Sequence, residues 1–270
     1  MRAASEPAGF AVAPDGARLA WWSTGHGEPL LLLNGQGADH HMWDRVVPLL
    51  APHHRVVGFD TRGTGLSEAP TSHPYSTQGF AADAVAVLDA ADVDRAHVYG
   101  FSMGGRTAQW VAIEHGHRVG SLVLGATSPG DTHGAAREPE VDAIFTAPPS
   151  LATRRAMARL MYHPRFVAEH LAKGDLYQAP ALPPGVQALH FEASKQHDAW
   201  AELGRITAPT LLLHGTDDQL NPTGNSRLMA ERIAGSELVL LDGARHGYHD
   251  ECLEQAARVV LDFLARHPLA

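Results

Sequence analysis

Six short aliphatic runs alternate with helical patterns along this chain, and that rhythm limits the fold more than any other feature. The runs cover residues 29–33, 55–60, 96–99, 119–125, 210–214 and 237–241. Helical patterns fall at 39–50, after Ser76, and at 106–115, 222–233 and 251–266. In the second of these, Phe80, Ala84, Val87, Leu88 and Ala91 form an apolar stripe at helical spacing, and Ser76 supplies an N-cap. Strands joined by helices at this spacing build a parallel sheet from βαβ units. Residues 10–22 add a β-hairpin around the turn Pro14-Asp15-Gly16.

From Ser128 to about Arg205 the alternation stops. Pro148-Pro149, Pro180 and Pro183-Pro184 punctuate helical patterns with no strong strand between them. The reading is an α/β core of residues 1–128 and 206–270, interrupted by a helical cap at 129–205. A chain of 270 residues, 44% of them hydrophobic, has the size and apolar content for one large α/β domain with such an insertion.

The chemistry centres on Gly100-Phe101-Ser102-Met103-Gly104, between the run at 96–99 and the helix at 106–115. A serine hydroxyl is a weak nucleophile unless it is exposed, desolvated and placed beside a base. A sharp strand-to-helix turn lifts Ser102 above the strand ends, and Gly100 and Gly104 let the two backbones pass closely. The helix N-terminus offers the Met103 N–H to a developing oxyanion. Such a serine needs a histidine base, and the histidine needs a carboxylate to fix its tautomer. In a parallel sheet these groups gather at the carboxyl ends of strands. The run at 210–214 is followed by Gly215-Thr216-Asp217-Asp218, and the run at 237–241 by Asp242-Gly243-Ala244-Arg245-His246. Ser102, an aspartate and His246 therefore share one edge of the sheet.

The formal charge of −9, with no basic stripe, argues against nucleic acid as a partner. One cysteine, Cys252, excludes an intrachain disulfide framework and reads as a structural thiol. Residues 1–10 have no apolar signal-peptide core, and the run at 30–33 is too short to span a bilayer. The expectation is a cytoplasmic protein that acts on a small molecule, away from membranes. The pair His40-His41 has no carboxylate or cysteine cluster at ligand spacing, so neither a metal nor an organic cofactor is expected.

Five motifs in order resemble the α/β-hydrolase superfamily over nearly the whole chain. They are Asn34-Gly35 followed by Trp43, Asp60-x-Arg62-Gly63-x-Gly65-x-Ser67, Gly100-x-Ser102-x-Gly104, Gly215-x-x-Asp218-x-x-x-Pro222 and Gly243-x-x-His246. The resemblance implies a mostly parallel sheet with helices on both faces and a helical cap. It selects Asp218 over Asp217, since Pro222 must open the next helix, and His246 over His249, which sits at a helix start. His214 reads as a strand-end histidine, Trp43 as a packing residue and Arg62 as a loop tie. The resemblance also implies that the Gln36 N–H completes an oxyanion hole with Met103. Asn34 stands where the family commonly has His, which changes the polar lining of a substrate site that includes Asn34 and Gly35.

The reaction expected is hydrolysis of a carboxylic ester or lactone through an acyl-enzyme. Ser102-Met-Gly-Gly with Ala108-Gln109-Trp110 is similar to the enol-lactonase group, and residues 81–89 resemble polyketide methyl esterases. Both imply a compact, mostly apolar substrate. The alternatives are hydrolysis of C–C bonds in diketone-type products, and a ligand-binding or cyclase-like protein on the same scaffold. An aspartate nucleophile would mean haloalkane or epoxide chemistry, and Ser102 argues against both. Apolar residues of the cap, among them Ile144, Phe145, Met157, Leu160, Met161, Tyr162, Phe166, Leu171 and Tyr177, are expected mostly to form its own core. Arg154, Arg155 and Arg159 read as a solvated helix face.

Overall fold

Leu30, Leu31, Leu32 and Leu33 are all buried, and they point alternately to two cores. Leu31 and Leu33 join one cluster with Val57, Val98, Leu122 and Leu212. Leu30 and Leu32 join the other with Val56, Tyr99, Val123, Leu211 and Leu213. Both faces of the sheet are therefore covered, as parallel strands require. Burying one such leucine side chain is worth about 1.5–3 kcal/mol, so these rows fix the register of the sheet that carries the site.

The computed structural model describes residues 6–71, 74–148, 150–174, 176–183 and 185–269. The strands are β1 (Gly9–Val12), β2 (Arg18–Thr24), β3 (Glu28–Leu33), β4 (His54–Phe59), β5 (Ala96–Phe101), β6 (Val119–Gly125), β7 (Thr210–Gly215) and β8 (Glu237–Leu241). They form one sheet in the order β1-β2-β4-β3-β5-β6-β7-β8. β1 and β2 pair antiparallel, as the hairpin reading expects, and β2 meets β4 antiparallel. All pairings from β4 to β8 are parallel. This is the α/β-hydrolase fold.

The helices are α1 (Val47–Leu50), α2 (Thr77–Ala90), α3 (Met103–Glu114), α4 (Pro139–Thr146), α5 (Leu151–Met161), α6 (Pro164–Lys173), α7 (Val186–Lys195), α8 (Gly224–Arg232), α9 (Tyr248–Glu251) and α10 (Leu253–Ala265). Side chains of α2, α3 and α8 pack in the first core, and those of α1, α9 and α10 in the second. Ser76 caps α2 by accepting from Gly79 N–H at 2.9 Å, a bond worth about 1 kcal/mol to a helix.

Two helical readings change in the structure. Residues 39–50 form a short 3₁₀ turn (His40–Trp43) and then α1, with a break between them. Pro48 causes it: it has no N–H, and its ring excludes a helical carbonyl four residues earlier. The C-terminal helix divides at Cys252, whose backbone (φ −114°, ψ 40°) leaves the helical region. Tyr248 and His249 lie against the sheet on one side of the break, while Ala256, Val260 and Phe263 of α10 reach the same core.

Between β6 and β7 the chain leaves the sheet and forms α4 to α7. A bridge between Gly130 and Asp198 ties the two ends of this segment together. Its own core is smaller than the sequence reading expects. Val141 and Leu160 form a buried cluster with Leu220 from outside the segment, and Ile144, Met157 and Met161 pack on it. Tyr162 is also buried, but Leu171 is 55% exposed; the side chain of Phe145 lies outside the described residues. The reason is that the segment lies on the loops at the carboxyl edge of the sheet. Tyr177 OH donates to Asp39 Oδ1, the Gly247 N–H donates to Met161 O, and the His190 ring bonds Arg62 O. Arg154, Arg155 and Arg159 are exposed.

Candidate active site

The site begins where β5 turns into α3. Ser102 has φ 56° and ψ −117°, a conformation that costs a non-glycine residue about 1–3 kcal/mol. Its surroundings hold it there. The Ser102 N–H donates to Gly125 O at 2.8 Å, and the Ser102 carbonyl accepts from Thr127 Oγ1 at 2.7 Å and Gly105 N–H at 2.9 Å. The flanking glycines have no room for a side chain. A Cβ on Gly100 would stand 2.2 Å from Gly104 O, and one on Gly104 would stand 2.1 Å from Leu33 O. The close passage anticipated from the sequence thus joins α3 to β3 as well as to β5.

The Ser102 hydroxyl faces His246, whose Nε2 lies 3.0 Å from Ser102 Oγ. The other ring nitrogen, Nδ1, lies 2.7 Å from Asp218 Oδ2. A carboxylate can only accept, so Nδ1 carries the proton and Nε2 is free to take one from serine. Asp218 is shielded from solvent, whereas Asp217 beside it is exposed. His249 lies behind the site, its ring 4.3 Å from that of Phe101, and it has no bond to Asp218.

The loops that bring these residues together are tied to one another. Thr216 N–H donates to Leu241 O, Asp217 N–H to Ala244 O, and Gly243 N–H to Thr216 Oγ1. Asn221 Nδ2 donates to Ala126 O at the end of β6. Burial alone would raise the Asp218 pKa. The charge of His246 and the hydrogen bonds from His214 and His246 outweigh it and bring the carboxyl down to about 2. Burial depresses His249 to about 4, so that ring is neutral at physiological pH.

On the other side of Ser102 lies the loop after β3. The β3–β5 register pairs Leu33 with Gly100, so this loop and the serine turn leave from adjacent strands. A Cβ on Gly35 would stand 3.8 Å from Ser102 Cβ. Among the described residues, neither the Gln36 N–H nor the Met103 N–H has an acceptor. Asn34 is placed otherwise than the sequence suggests. Its side chain is buried, with Nδ2 donating to Phe59 O at 2.8 Å and Oδ1 accepting from the Trp43 indole at 2.9 Å. Both ends of the amide take part in holding the loop.

The remaining motif residues are structural. Arg62 bonds Asp83 at 2.6 and 2.7 Å and Asp15 at 2.6 Å. Asp60 accepts from Leu66 N–H and His40 N–H. His40 stacks on Trp22 with its Nδ1 2.9 Å from Asp60. No group of three or more His, Cys, Asp or Glu among the described residues is arranged to hold a metal ion. No helix among them is long and apolar enough to cross a membrane. Cys252 is half-buried, and burial raises its thiol pKa.

A cavity of about 280 Å³ opens beside Gln36. Its walls are Gln36, Arg106, Asp131, Arg137, Asp142, Phe191, Ser194 and Lys195. Arg106 pairs with Asp131 at 3.1 Å, and Arg137 with Asp142 at 2.8 Å.

The sequence profile of the α/β hydrolase fold matches residues 28–251, and the chain belongs to that family of hydrolases. A RutD protein of Variovorax paradoxus, provisionally named a carbamate hydrolase, is 34% identical over 249 residues, 89% of this chain and 92% of the relative. A 2-hydroxymuconate semialdehyde hydrolase of Pseudomonas sp. strain CF600 is 32% identical over 93% of this chain and 91% of its own length. The crystal structure of an enol-lactonase from Burkholderia xenovorans LB400 superposes with a TM-score of 0.80, at 26% identity, covering 95% of this chain and 99% of that one.

One residue of the site has a place that the sequence reading missed. His214, taken as a strand-end histidine, puts its Nε2 3.0 Å from Asp218 Oδ2. The available signal was spacing: His214 precedes Asp218 by four residues across a glycine turn.

Proposed function

We propose that the protein is a serine hydrolase of carboxylic esters or lactones, with Ser102 as nucleophile, His246 as general base and Asp218 as its orienting acid. The observation that carries this reading is the unbroken chain from Ser102 Oγ through His246 to Asp218, at 3.0 and 2.7 Å. Ser102 Oγ attacks the acyl carbon while His246 Nε2 takes its proton. Asp218 stabilises the imidazolium without itself becoming protonated. The Gln36 and Met103 N–H groups form the oxyanion hole; losing one such donor typically costs about 10²–10³ in rate. His246 then gives its proton to the departing alkoxide. Water, deprotonated in turn by His246, cleaves the acyl-enzyme and regenerates Ser102.

Residues 129–205 act as a cap over this site, because their contacts fall on the loops after β3, β4 and β8. The cap favours compact substrates. The substrate proposed is a compact, mostly apolar ester or lactone. The cyclic-ester substrate class finds support in the likeness to the enol-lactonase. Cleavage of C–C bonds is the second reading, favoured by the likeness to the 2-hydroxymuconate semialdehyde hydrolase. The chemistry needs no metal or organic cofactor, and the cytoplasm is the proposed compartment.

The test is a panel of short esters, lactones, carbamates and vinylogous diketones, run against wild type and Ser102→Ala. Ester or lactone turnover that Ser102→Ala reduces at least about 10³-fold supports the proposal. Turnover confined to the diketones selects the second reading. Activity above about 1% in a clean Ser102→Ala preparation refutes both.

A further inference from the structure

The acid loop contains a second histidine that the mechanism above does not use. His214, at the end of β7, is fully shielded from solvent. Its Nε2 lies 3.0 Å from Asp218 Oδ2 and 2.7 Å from Asn221 O. Both neighbours can only accept, so Nε2 carries a proton and shares it between them. The other ring nitrogen, Nδ1, lies 2.6 Å from Ser226 Oγ on α8. In the neutral ring Nδ1 has no proton, so the Ser226 hydroxyl donates to it. The tautomer of His214 is therefore set from both sides, by the Asp218 carboxylate and Asn221 O at Nε2 and by the Ser226 hydroxyl at Nδ1.

Asp218 Oδ2 thus receives two N–H donors, one from each histidine, while Oδ1 accepts the Asn221 N–H at 2.8 Å. The carboxylate has three anchors, and its rotation about the Cβ–Cγ bond is blocked. Tyr248, whose hydroxyl is bonded to Tyr99 OH at 2.9 Å, also faces Asp218, and the buried His249 ring faces His246. We propose that His214 is a positioning residue for the reaction: its Nε2–H, held in one tautomer by Ser226, aims the Asp218 carboxylate at His246. This rests on the reading of Ser102, His246 and Asp218 as the catalytic groups.

The arrangement also has an electrostatic consequence. A donor on Oδ2 withdraws charge from the oxygen that His246 uses. Without it, Asp218 binds the imidazolium more tightly, and His246 keeps its proton to higher pH. A residue that only braced the acid loop, through the bond to Asn221 O, would have no such effect.

The experiment compares His214→Leu, His214→Gln and Ser226→Ala with wild type on one short ester. Active sites are counted by fluorophosphonate titration, and kcat, KM and the pH profile of kcat/KM are measured. A Gln side chain can place an N–H donor where Nε2 stands, whereas Leu cannot. In His214→Leu, kcat per titrated site should fall about 10- to 100-fold, because a misaimed Asp218 carboxylate no longer holds His246 in line with Ser102, and that loss of alignment outweighs the tighter hold on the imidazolium. KM should change little, and the acid limb should move up by about 0.5–1 pH unit. His214→Gln should recover kcat to within about threefold and restore the wild-type acid limb. Ser226→Ala should fall between the two. If both His214 variants lower thermal stability yet keep wild-type kcat per site and the wild-type acid limb, His214 is only a brace and the proposal fails. If His214→Leu does not fold, Ser226→Ala decides: wild-type kcat per site together with the wild-type acid limb in that variant refutes it. A Ser102→Ala variant that retains activity would instead overturn the reading on which it rests.

Discussion

Replacing Asp218 by Asn removes a charge and reverses a donor without changing the size of the side chain. In wild type, Oδ2 accepts from His246 Nδ1–H and His214 Nε2–H, and Oδ1 accepts from Asn221 N–H. An asparagine NH₂ at the Oδ2 position would meet two N–H donors; turned over, it would meet the Asn221 N–H. Each way leaves a buried donor without a partner, at about 1–3 kcal/mol. The escape is for His246 to lose its Nδ1 proton and accept from the amide, with its own proton on Nε2. Nε2–H then points at Ser102 and cannot act as a base. In a serine protease triad the same substitution lowers the rate about 10⁴-fold, which corresponds to about 5 kcal/mol in the barrier. We expect a loss of that order in kcat/KM for a short chromogenic ester, with circular dichroism and thermal unfolding showing that the variant is folded. Asp217→Asn, at an exposed position, should stay within about threefold of wild type, as surface substitutions usually do. A folded Asp218→Asn enzyme with more than about 1% of wild-type kcat/KM, or an equal loss in Asp217→Asn, would refute this assignment of the acid.

Gly104→Val should prevent soluble expression or unfold the protein, because its Cβ would fall 2.1 Å from Leu33 O; a folded variant seen by circular dichroism would contradict that packing. Stability should fall as pH drops below about 6.5. His249 has a folded pKa of about 4 against 6.5 for the free side chain, so the unfolded chain binds a proton that the folded one refuses. The stability present above pH 6.5 is then lost progressively toward pH 4, by about 3 kcal/mol from this residue. Urea titrations of wild type and His249→Phe across that range should show a shallower pH slope in the variant; an equal slope would count against the buried neutral ring. Tyr162→Phe leaves Asp250 Oδ2 without the hydroxyl that donates to it at 3.2 Å. It should lower stability by about 1–3 kcal/mol, measured by thermal unfolding, and no change would show that the contact is unimportant.

The sheet and the loops carrying Ser102, Asp218 and His246 were legible because each depends on local chemistry. Aliphatic runs such as 29–33 are buried wherever they fall, and Gly100 and Gly104 mark a turn that tolerates no side chain. The order of motifs then placed three loops on one edge. Features that depend on what a side chain meets across the fold were not legible. Pro48 divided a helical stripe that the apolar pattern alone favoured. Asn34 looked like a pocket residue, yet Trp43 and Phe59 take both ends of its amide. The apolar residues of 129–205 could be counted, but the count did not say that they would pack on loops of the core. His214 reads as an ordinary strand-end histidine until the loop after it folds back and sets Asn221 O and Asp218 against one ring nitrogen.

Activation of the Ser102 nucleophile by His246 is open to a direct test by covalent labelling. Wild type, Ser102→Ala and His246→Ala are incubated with a fluorophosphonate, and the adduct is located by peptide mass spectrometry. One adduct per chain is expected, on Ser102, absent from Ser102→Ala and formed at least about 10³-fold more slowly in His246→Ala. Labelling at another residue, or at the wild-type rate in either variant, would contradict it.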